Sequence, residues 1–333
     1  MFELSFIWAG IIAFAVLTYV VLDGFDLGVG ILFPSAKDER EKATMMNSIA
    51  PIWDGNETWL VLGGGGLFAV FPLAYSVIMP ALYMPIILTL LALIFRGVAF
   101  EYRWRTERWK PVWDVAFFGG SIVAAFMQGI ALGALVQGIH VVDRAYGGGW
   151  WDWLSVFSIL TGLAVVVGYA LLGATWIIMK TEGRIQRQMQ SYARWLGAAT
   201  LGFIGLVSVL TPFQDPVYFH RWFNLPGSIL SVLMPAAVLL AAWALFSGLK
   251  NDKDARPFFA SISIFVLSFI GIGISFYPNI VPPSLTIVEA AAPDKSLRFA
   301  LVGTSVLVPM ILAYTGYAYW VFRGKVDLSK GYH

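Results

Sequence analysis

The chain has 333 residues, of which 59% are hydrophobic and 13% charged, with a net charge of +2 and a mean hydropathy of +0.75. A soluble chain carries about 25% charged residues, so there is too little polar surface here to cover a water-soluble globule. High hydrophobicity excludes disorder, the dispersed and nearly balanced charge excludes a nucleic-acid partner, and the absence of cysteine excludes disulfides, thiolate metal sites and a cysteine nucleophile. What remains is an all-α polytopic membrane protein, read as a single integral membrane domain over 1–333.

A helical span needs about 20 mostly apolar residues. Nine are predicted, near 6–32, 50–71, 75–96, 113–137, 153–179, 194–212, 227–249, 257–277 and 298–322. The N-terminus lacks the basic region and cleavage site of a secretory signal, so the first span is expected to be retained. Late in that span stand Asp23 and Asp26, with Gly24-x-x-x-Gly28 as a small-residue face. The second span carries Asp54 and Glu57 early and the run Gly63-Gly64-Gly65-Gly66 later. That run is no phosphate cradle, since no Lys-Ser/Thr follows; it reads as close helix contact. From Thr58 to Phe95 no residue is charged, and Phe71-Pro72-Leu73-Ala74 supplies the turn between the second and third spans.

Pro80 and Pro85 in the third span predict kinks, as do Pro235 and Pro309 further on. Arg96 closes the third span and Asp114 opens the fourth, which also holds Gln128, Gly129-x-x-x-Gly133 and Gln137. Both glutamines read as interhelical hydrogen-bond partners. The longest outer segments, 138–152 and 278–297, are rich in tryptophan and proline, as at a membrane interface.

Lysine and arginine sort these spans by side. Eighteen of the 22 basic residues fall in alternate connections and the C-terminal tail, and only Arg144, Arg221, Lys295 and Arg298 fall on the other side. The positive-inside rule then predicts an outer N-terminus, a cytoplasmic C-terminus and an odd number of spans. Nine spans permit two four-helix bundles plus one peripheral helix.

Ionisable groups inside spans are costly and are functional candidates by default. Asp23 with Asp26, and Asp54 with Glu57, are each spaced i,i+3 and so share a helix face. At 1.5 Å per residue, Asp26 lies about 10 Å and Asp23 about 15 Å from the end of the first span. Asp54 lies about 9 Å and Glu57 about 13–14 Å from the start of the second. The two pairs are therefore level and can face one another, which would suit a cytoplasmic proton pathway. A second reading places the same acids at the membrane mouth, at a helix start or in ion pairs that tie helices together through Arg96, Asp114 and Asp26. Both readings stand, and they can coexist.

His140 and His220 fall in outer segments and His333 is the last residue. Metal-binding histidine spacings are absent, and ten methionines read as packing. No haem or metal ligand is expected in this chain.

The segments Asp23-Gly-Phe-Asp-Leu-Gly-Val-Gly30, Ile49-Ala-Pro-Ile-Trp-Asp-Gly-Asn-Glu-Thr-Trp-Leu60, Gly-Gly-Leu-Phe-Ala at 65–69, Phe95-Arg-Gly-Val-Ala-Phe-Glu-Tyr-Arg103 and Phe276-Tyr-Pro-Asn-Ile-Val-Pro-Pro-Ser284 together resemble subunit II of cytochrome bd-type quinol oxidases. The likeness runs in order along essentially the whole chain. The Gly-Asn-Glu-Thr-Trp and four-glycine version is most similar to the cyanide-insensitive branch. The resemblance implies a bacterial cytoplasmic (inner) membrane location and two four-helix bundles plus a peripheral helix. It also implies a heterodimer with a haem-bearing subunit I that carries b and d haems, or a b-type variant. That partner oxidises quinol at the outer face and reduces oxygen to water with protons from the cytoplasm. Small single-helix accessory subunits, membrane lipids and a structural quinone accompany some family members. The resemblance assigns the aspartate of the Trp-Asp-Gly-Asn motif, here Asp54, to a proton route toward subunit I. Glu57 departs from the family's usual neutral residue, so its role is less fixed. Glu57 and Asp23 would extend the path, while Asp26, Arg96 and Asp114 hold the helices around it. Two other readings compete: a proton-coupled secondary transporter using the same four acids, and a purely structural assembly subunit.

Overall fold

A computed structural model describes residues 3–225 and 227–326. Lys330, part of the basic count, and His333 lie outside the described residues. The chain is built from helices in the order α1 (Leu4–Leu32), α2 (Glu39–Ile49), α3 (Trp53–Val70), α4 (Pro72–Ala81), α5 (Tyr83–Arg103), α6 (Lys110–Gln137) and α7 (Val156–Lys180). There follow α8 (Arg184–Leu210), α9 (Pro216–Phe223), α10 (Gly227–Lys250), α11 (Arg256–Phe276), α12 (Ile287–Ala290) and α13 (Asp294–Val321). Eight of these, α1, α5, α6, α7, α8, α10, α11 and α13, are long and apolar enough to cross a membrane. The 18-residue α3 is not among the eight, because Asp54, Asn56, Glu57 and four glycines dilute its apolar content.

Three predicted boundaries move, the largest at the sixth span, where the helix α8 begins at Arg184 and not near residue 194. The second span does not begin at residue 50: a turn over 50–52 precedes α3, so Asp54 falls in the first helical turn. The third is not one helix from 75 to 96, since it breaks at Leu82 into α4 and α5, and α5 runs on to Arg103. Pro85 has no N–H to bond back to Ala81, so the break lies where the ladder loses a bond. By contrast Pro235 and Pro309 lie inside helices that continue past them.

The helices pack where side chains are smallest. A Cβ on Gly28 would lie 1.9 Å from the Tyr169 carbonyl oxygen and 2.7 Å from Gly173 N, so α1 and α7 cross backbone to backbone. Gly129 and Gly133 do the same for α6 against α7, meeting Thr161, Gly162 and Ser158. The four-glycine run behaves differently from expectation. Gly63 and Gly66 lie near Val16 and Ile12 of α1, whereas Gly64 and Gly65 have nothing within 4 Å. A run of four covers the whole circumference of a helix, and only one side of α3 faces α1.

Contacts join α1 to α3, α6 and α7; α5 to α6; α7 to α6, α8 and α11; and α10 to α8 and α11. The last third of α1 is thereby enclosed on all sides, and Asp23 to Gly30 are buried without interruption. At the opposite end two short hairpins, β1 (Val141–Val142) with β2 (Ala145–Tyr146) and β3 (Asn279–Val281) with β4 (Leu285–Thr286), join the chain segments between helices. They are stitched by Ile139 N donating to the Pro282 carbonyl at 3.2 Å and Ser284 Oγ to the Ile139 carbonyl at 2.9 Å. Gly138 makes the approach with φ of 92°, where a side chain would meet Pro283 at 2.9 Å.

Candidate functional site

Arg96, on α5, is fully buried, with 0% of its side chain exposed. Its Nη1 donates to Asp23 Oδ1 of α1 at 3.2 Å and to Glu57 Oε1 of α3 at 2.8 Å. Its Nη2 lies 4.0 Å from Asp26 Oδ2. The guanidinium also sits 5.9 Å from the ring centroids of Trp53 and Phe100. The donor to Asp26 is Asn56 Nδ2 at 2.7 Å, and Asn56 Oδ1 in turn accepts from Tyr319 Oη of α13 at 2.9 Å. Three carboxylates from two helices therefore meet one cation from a third. Arg96 Nε and Nη2, Asp23 Oδ2 and Asp26 Oδ1 are buried without a well-formed hydrogen bond, so the cluster holds more polar capacity than its own members fill.

Asp54 stands apart. It is exposed, and its carboxylate makes no ion pair or hydrogen bond with a described residue. It lines a cleft of about 460 Å³ between the start of α3 and α13, with Trp53, Asn56, Glu101, Tyr314 and Tyr319. Asn56 belongs to both the cleft and the buried cluster. Asp54, exposed, and Glu57, half-buried and bonded to Arg96, thus lie three residues apart along one face of α3.

Asp114 goes elsewhere. Its Oδ1 accepts from Arg103 Nε at 2.5 Å and its Oδ2 from Lys42 Nζ at 2.7 Å. Arg103 Nη2 and Lys42 Nζ also reach Glu39, at 2.8 and 3.2 Å. Partial burial opposes the charge of Glu39, yet the hydrogen bonds and charges of Arg103 and Lys42 outweigh it and hold its carboxyl below the usual range. Partial burial likewise opposes Lys42, and Asp114 with Glu39 raises its ammonium above the usual range. This second network ties α2, α5 and α6 together. Arg103, Lys42 and Glu39 carried no signal of their own in the sequence, because charged residues beside a span are ordinary there.

Gln128 and Gln137 are both interhelical partners. Gln128 bonds Tyr19 of α1 and Tyr169 of α7, each at 2.8 Å, and Gln137 accepts from Ser155 at 2.5 Å. The neutral members Asn56, Tyr319, Tyr19 and Tyr169 were not singled out from sequence.

His140, between helices, and His220, on α9, are exposed, while Met45, Met46 and Met189 are packed into the apolar core with 0% exposure. Among the described residues, no three His, Cys, Asp or Glu side chains are grouped to hold a metal ion.

Residues 4–322 match the family model described as cytochrome bd terminal oxidase subunit II. The chain is 31% identical over 379 residues to the cytochrome bd-I ubiquinol oxidase subunit 2 of Escherichia coli (strain K12), covering 99% of this chain and 98% of that one. It is 28% identical over 339 residues to the cytochrome bd ubiquinol oxidase subunit 2 of Bacillus subtilis (strain 168), covering 98% of each. The solved bd oxidase of Geobacillus thermodenitrificans contains a chain of the same fold, with a TM-score of 0.77 at 16% identity over 96% of this chain and 98% of that one. Nothing in these matches favours a transporter. On its buried acid–arginine cluster, its membrane helices and these full-length matches, the chain belongs to the cytochrome bd terminal oxidase subunit II family.

Proposed function

We propose that this chain, as subunit II of a membrane-bound cytochrome bd quinol oxidase complex, admits cytoplasmic protons at Asp54 and passes them along Glu57 and the Arg96 cluster. The observation that carries this reading is the position of Asp54: exposed on an open cleft, without a partner among the described residues, and one helical turn from Glu57 on the buried arginine. A carboxylate that is free to gain and lose a proton at an opening, next to a buried polar cluster, is what a proton path needs at its mouth. Glu57, Asp23 and Asp26 continue the path, while Arg96 and Asp26 also bind α1, α3 and α5 together. Asp114 serves the separate tie to Arg103 and Lys42.

The complex uses haems. We assign them to the partner, a haem-bearing subunit I, as the family resemblance implies. That subunit would carry b haems with a d haem or b-type variant, and quinol would be oxidised there at the outer face. Accessory single-helix subunits and bound lipids would complete the assembly.

For the topology, α3 provides the ninth crossing. At 1.5 Å per residue its 18 residues measure about 27 Å, close to a hydrocarbon core of about 30 Å. The N-terminus is then outside and the α2 end of the molecule cytoplasmic, in keeping with the basic-residue asymmetry. Packing of α1, α3, α5 and α6 beside α7, α8, α10 and α11 supports two four-helix bundles within one membrane domain. Of the buried faces, that of α13 is least, since only Leu297 is buried in it, which suits a peripheral ninth helix.

The test is Asp54→Asn in the assembled complex. Oxygen reduction is expected to slow by about tenfold or more, on the scale of a lost proton-transfer group, while the haem spectrum stays intact. Unchanged turnover with assembled haems would remove Asp54 from the path.

A further inference from the structure

Two neighbouring side chains of α3 lead inward from Asp54, and they differ in kind. Glu57 is half-buried and accepts from Arg96 Nη1 at 2.8 Å. Asn56 lines the cleft beside Asp54 and touches Asp26 directly, its Nδ2 donating to Asp26 Oδ2 at 2.7 Å. Counted in contacts, Asn56 is the shorter way from the cleft to Asp26. Glu57 is joined to Asp26 through Arg96, whose Nη2 lies 4.0 Å from Asp26 Oδ2.

The Asn56 amide is held in one orientation. The residue is 1% exposed, and its Oδ1 accepts from Tyr319 Oη of α13 at 2.9 Å. Its Nδ2 faces the Leu22 carbonyl oxygen at 3.4 Å as well as Asp26. A backbone carbonyl can only accept, so turning the amide over would set Oδ1 against the Leu22 oxygen, whatever the protonation of Asp26. An amide, unlike a carboxyl, neither gains nor loses a proton near neutral pH. To pass one inward, Asn56 would have to take a proton at Oδ1 and give another from Nδ2 to Asp26. It would then be left in the imidic acid form and have to turn over to recover, which the Leu22 carbonyl opposes.

We propose that Asn56 is a proton block, closing the short way from the cleft to Asp26 and making Glu57 the obligatory second step after Asp54. This rests on Asp54 being the entry. Every proton then passes the carboxylate bonded to Arg96 before it reaches Asp26, which ties the exchange to the one cation of the cluster.

The experiment is oxygen reduction by the assembled oxidase complex, with the haem spectrum as the check on assembly. Glu57→Gln alone should slow turnover by about tenfold or more, the scale of a lost proton-transfer group. Asn56→Asp/Glu57→Gln sets an exchangeable carboxyl on the short way and should run at least about threefold faster than Glu57→Gln alone, within that same scale. Asn56→Ala/Glu57→Gln adds no charge to the cluster and leaves room for a water between polar partners, so it should gain as well. An amide with a merely structural role predicts the opposite, a further loss in both. No gain in the double variants that assemble with intact haem spectra would overturn the proposal. So would a wild-type rate in Glu57→Gln while Asp54→Asn is slow, a result that leaves the Asp54 entry standing. Unchanged turnover in Asp54→Asn removes the entry itself, so the two readings fail separately.

Discussion

A guanidinium with no exposed surface is stable in a protein only while anions surround it. Arg96 has Asp23, Glu57 and Asp26 within 4.0 Å, and two of its nitrogens still lack a hydrogen bond. Removing one partner of a buried ion pair costs about 3–5 kcal/mol, because the remaining charge stays buried without compensation. Arg96→Met should therefore lower the yield of haem-bearing complex sharply in size-exclusion chromatography. Adding Asp23→Asn and Glu57→Gln to the same chain should restore part of it, since the stranded anions are gone. Wild-type yield from Arg96→Met alone would mean that the acids are already neutral. The four acids and Arg96 were visible in the sequence because a charge inside an apolar span is conspicuous. Asn56, Tyr319 and the Tyr169–Gln128–Tyr19 chain were not visible as a set. Neutral polar side chains are unremarkable in membrane helices, and their partners are 263 and 109 residues away along the chain. The expected link of Asp114 to the same acids did not form, because Arg103 and Lys42 reach it first.

At the scale of the helix, small residues determine how closely α1 can approach its neighbours. Gly28 and Gly173 interlock: a Cβ on Gly173 would stand 2.3 Å from the Gly28 carbonyl carbon. Gly28→Ala should force α1 and α7 apart and destabilise the subunit by about 1–3 kcal/mol, the usual scale of overpacking. The shift would also disturb Asp23 and Asp26, which ride on the same stretch of α1. Gly202→Ala on α8, with nothing within 4 Å of its Cβ position, is the matched control and should leave thermal stability of the purified complex unchanged. Equal melting temperatures for the two variants would refute the close crossing. Gly24-x-x-x-Gly28 and Gly129-x-x-x-Gly133 were legible as packing faces from spacing alone. The partner glycine Gly173 was not, because the glycines of α7, Gly162, Gly168 and Gly173, are six and five residues apart and do not repeat at i,i+4. The break at Leu82 was likewise hidden in an uninterrupted apolar run, since hydropathy reports the medium around a segment and not the continuity of its backbone.

For the molecule as a whole, orientation gives the chemistry its direction. On the proposed mechanism, quinol oxidised at the outer face and protons drawn from the cytoplasm would build a membrane potential without a pump, but only if the end carrying α2 faces the cytoplasm. The basic-residue asymmetry supports that orientation, and Arg103, Lys42 and Arg184 form ion pairs at that end. The absence of cysteine makes the arrangement easy to test, because any introduced thiol is unique in the chain. Lys253→Cys in the exposed turn between α10 and α11 and Lys295→Cys at the start of α13 lie at opposite ends of α11 and the segment that follows it. A maleimide that cannot cross membranes should label Lys295→Cys in right-side-out vesicles and Lys253→Cys only in inverted ones. An odd number of crossings before Lys295, or an inverted chain, would reverse both results. With Lys253 inside, the start of α3 and Asp54 are on the proton-supplying side; with Lys253 outside, an Asp54 intake would draw protons from the wrong compartment and the vectorial mechanism would fail.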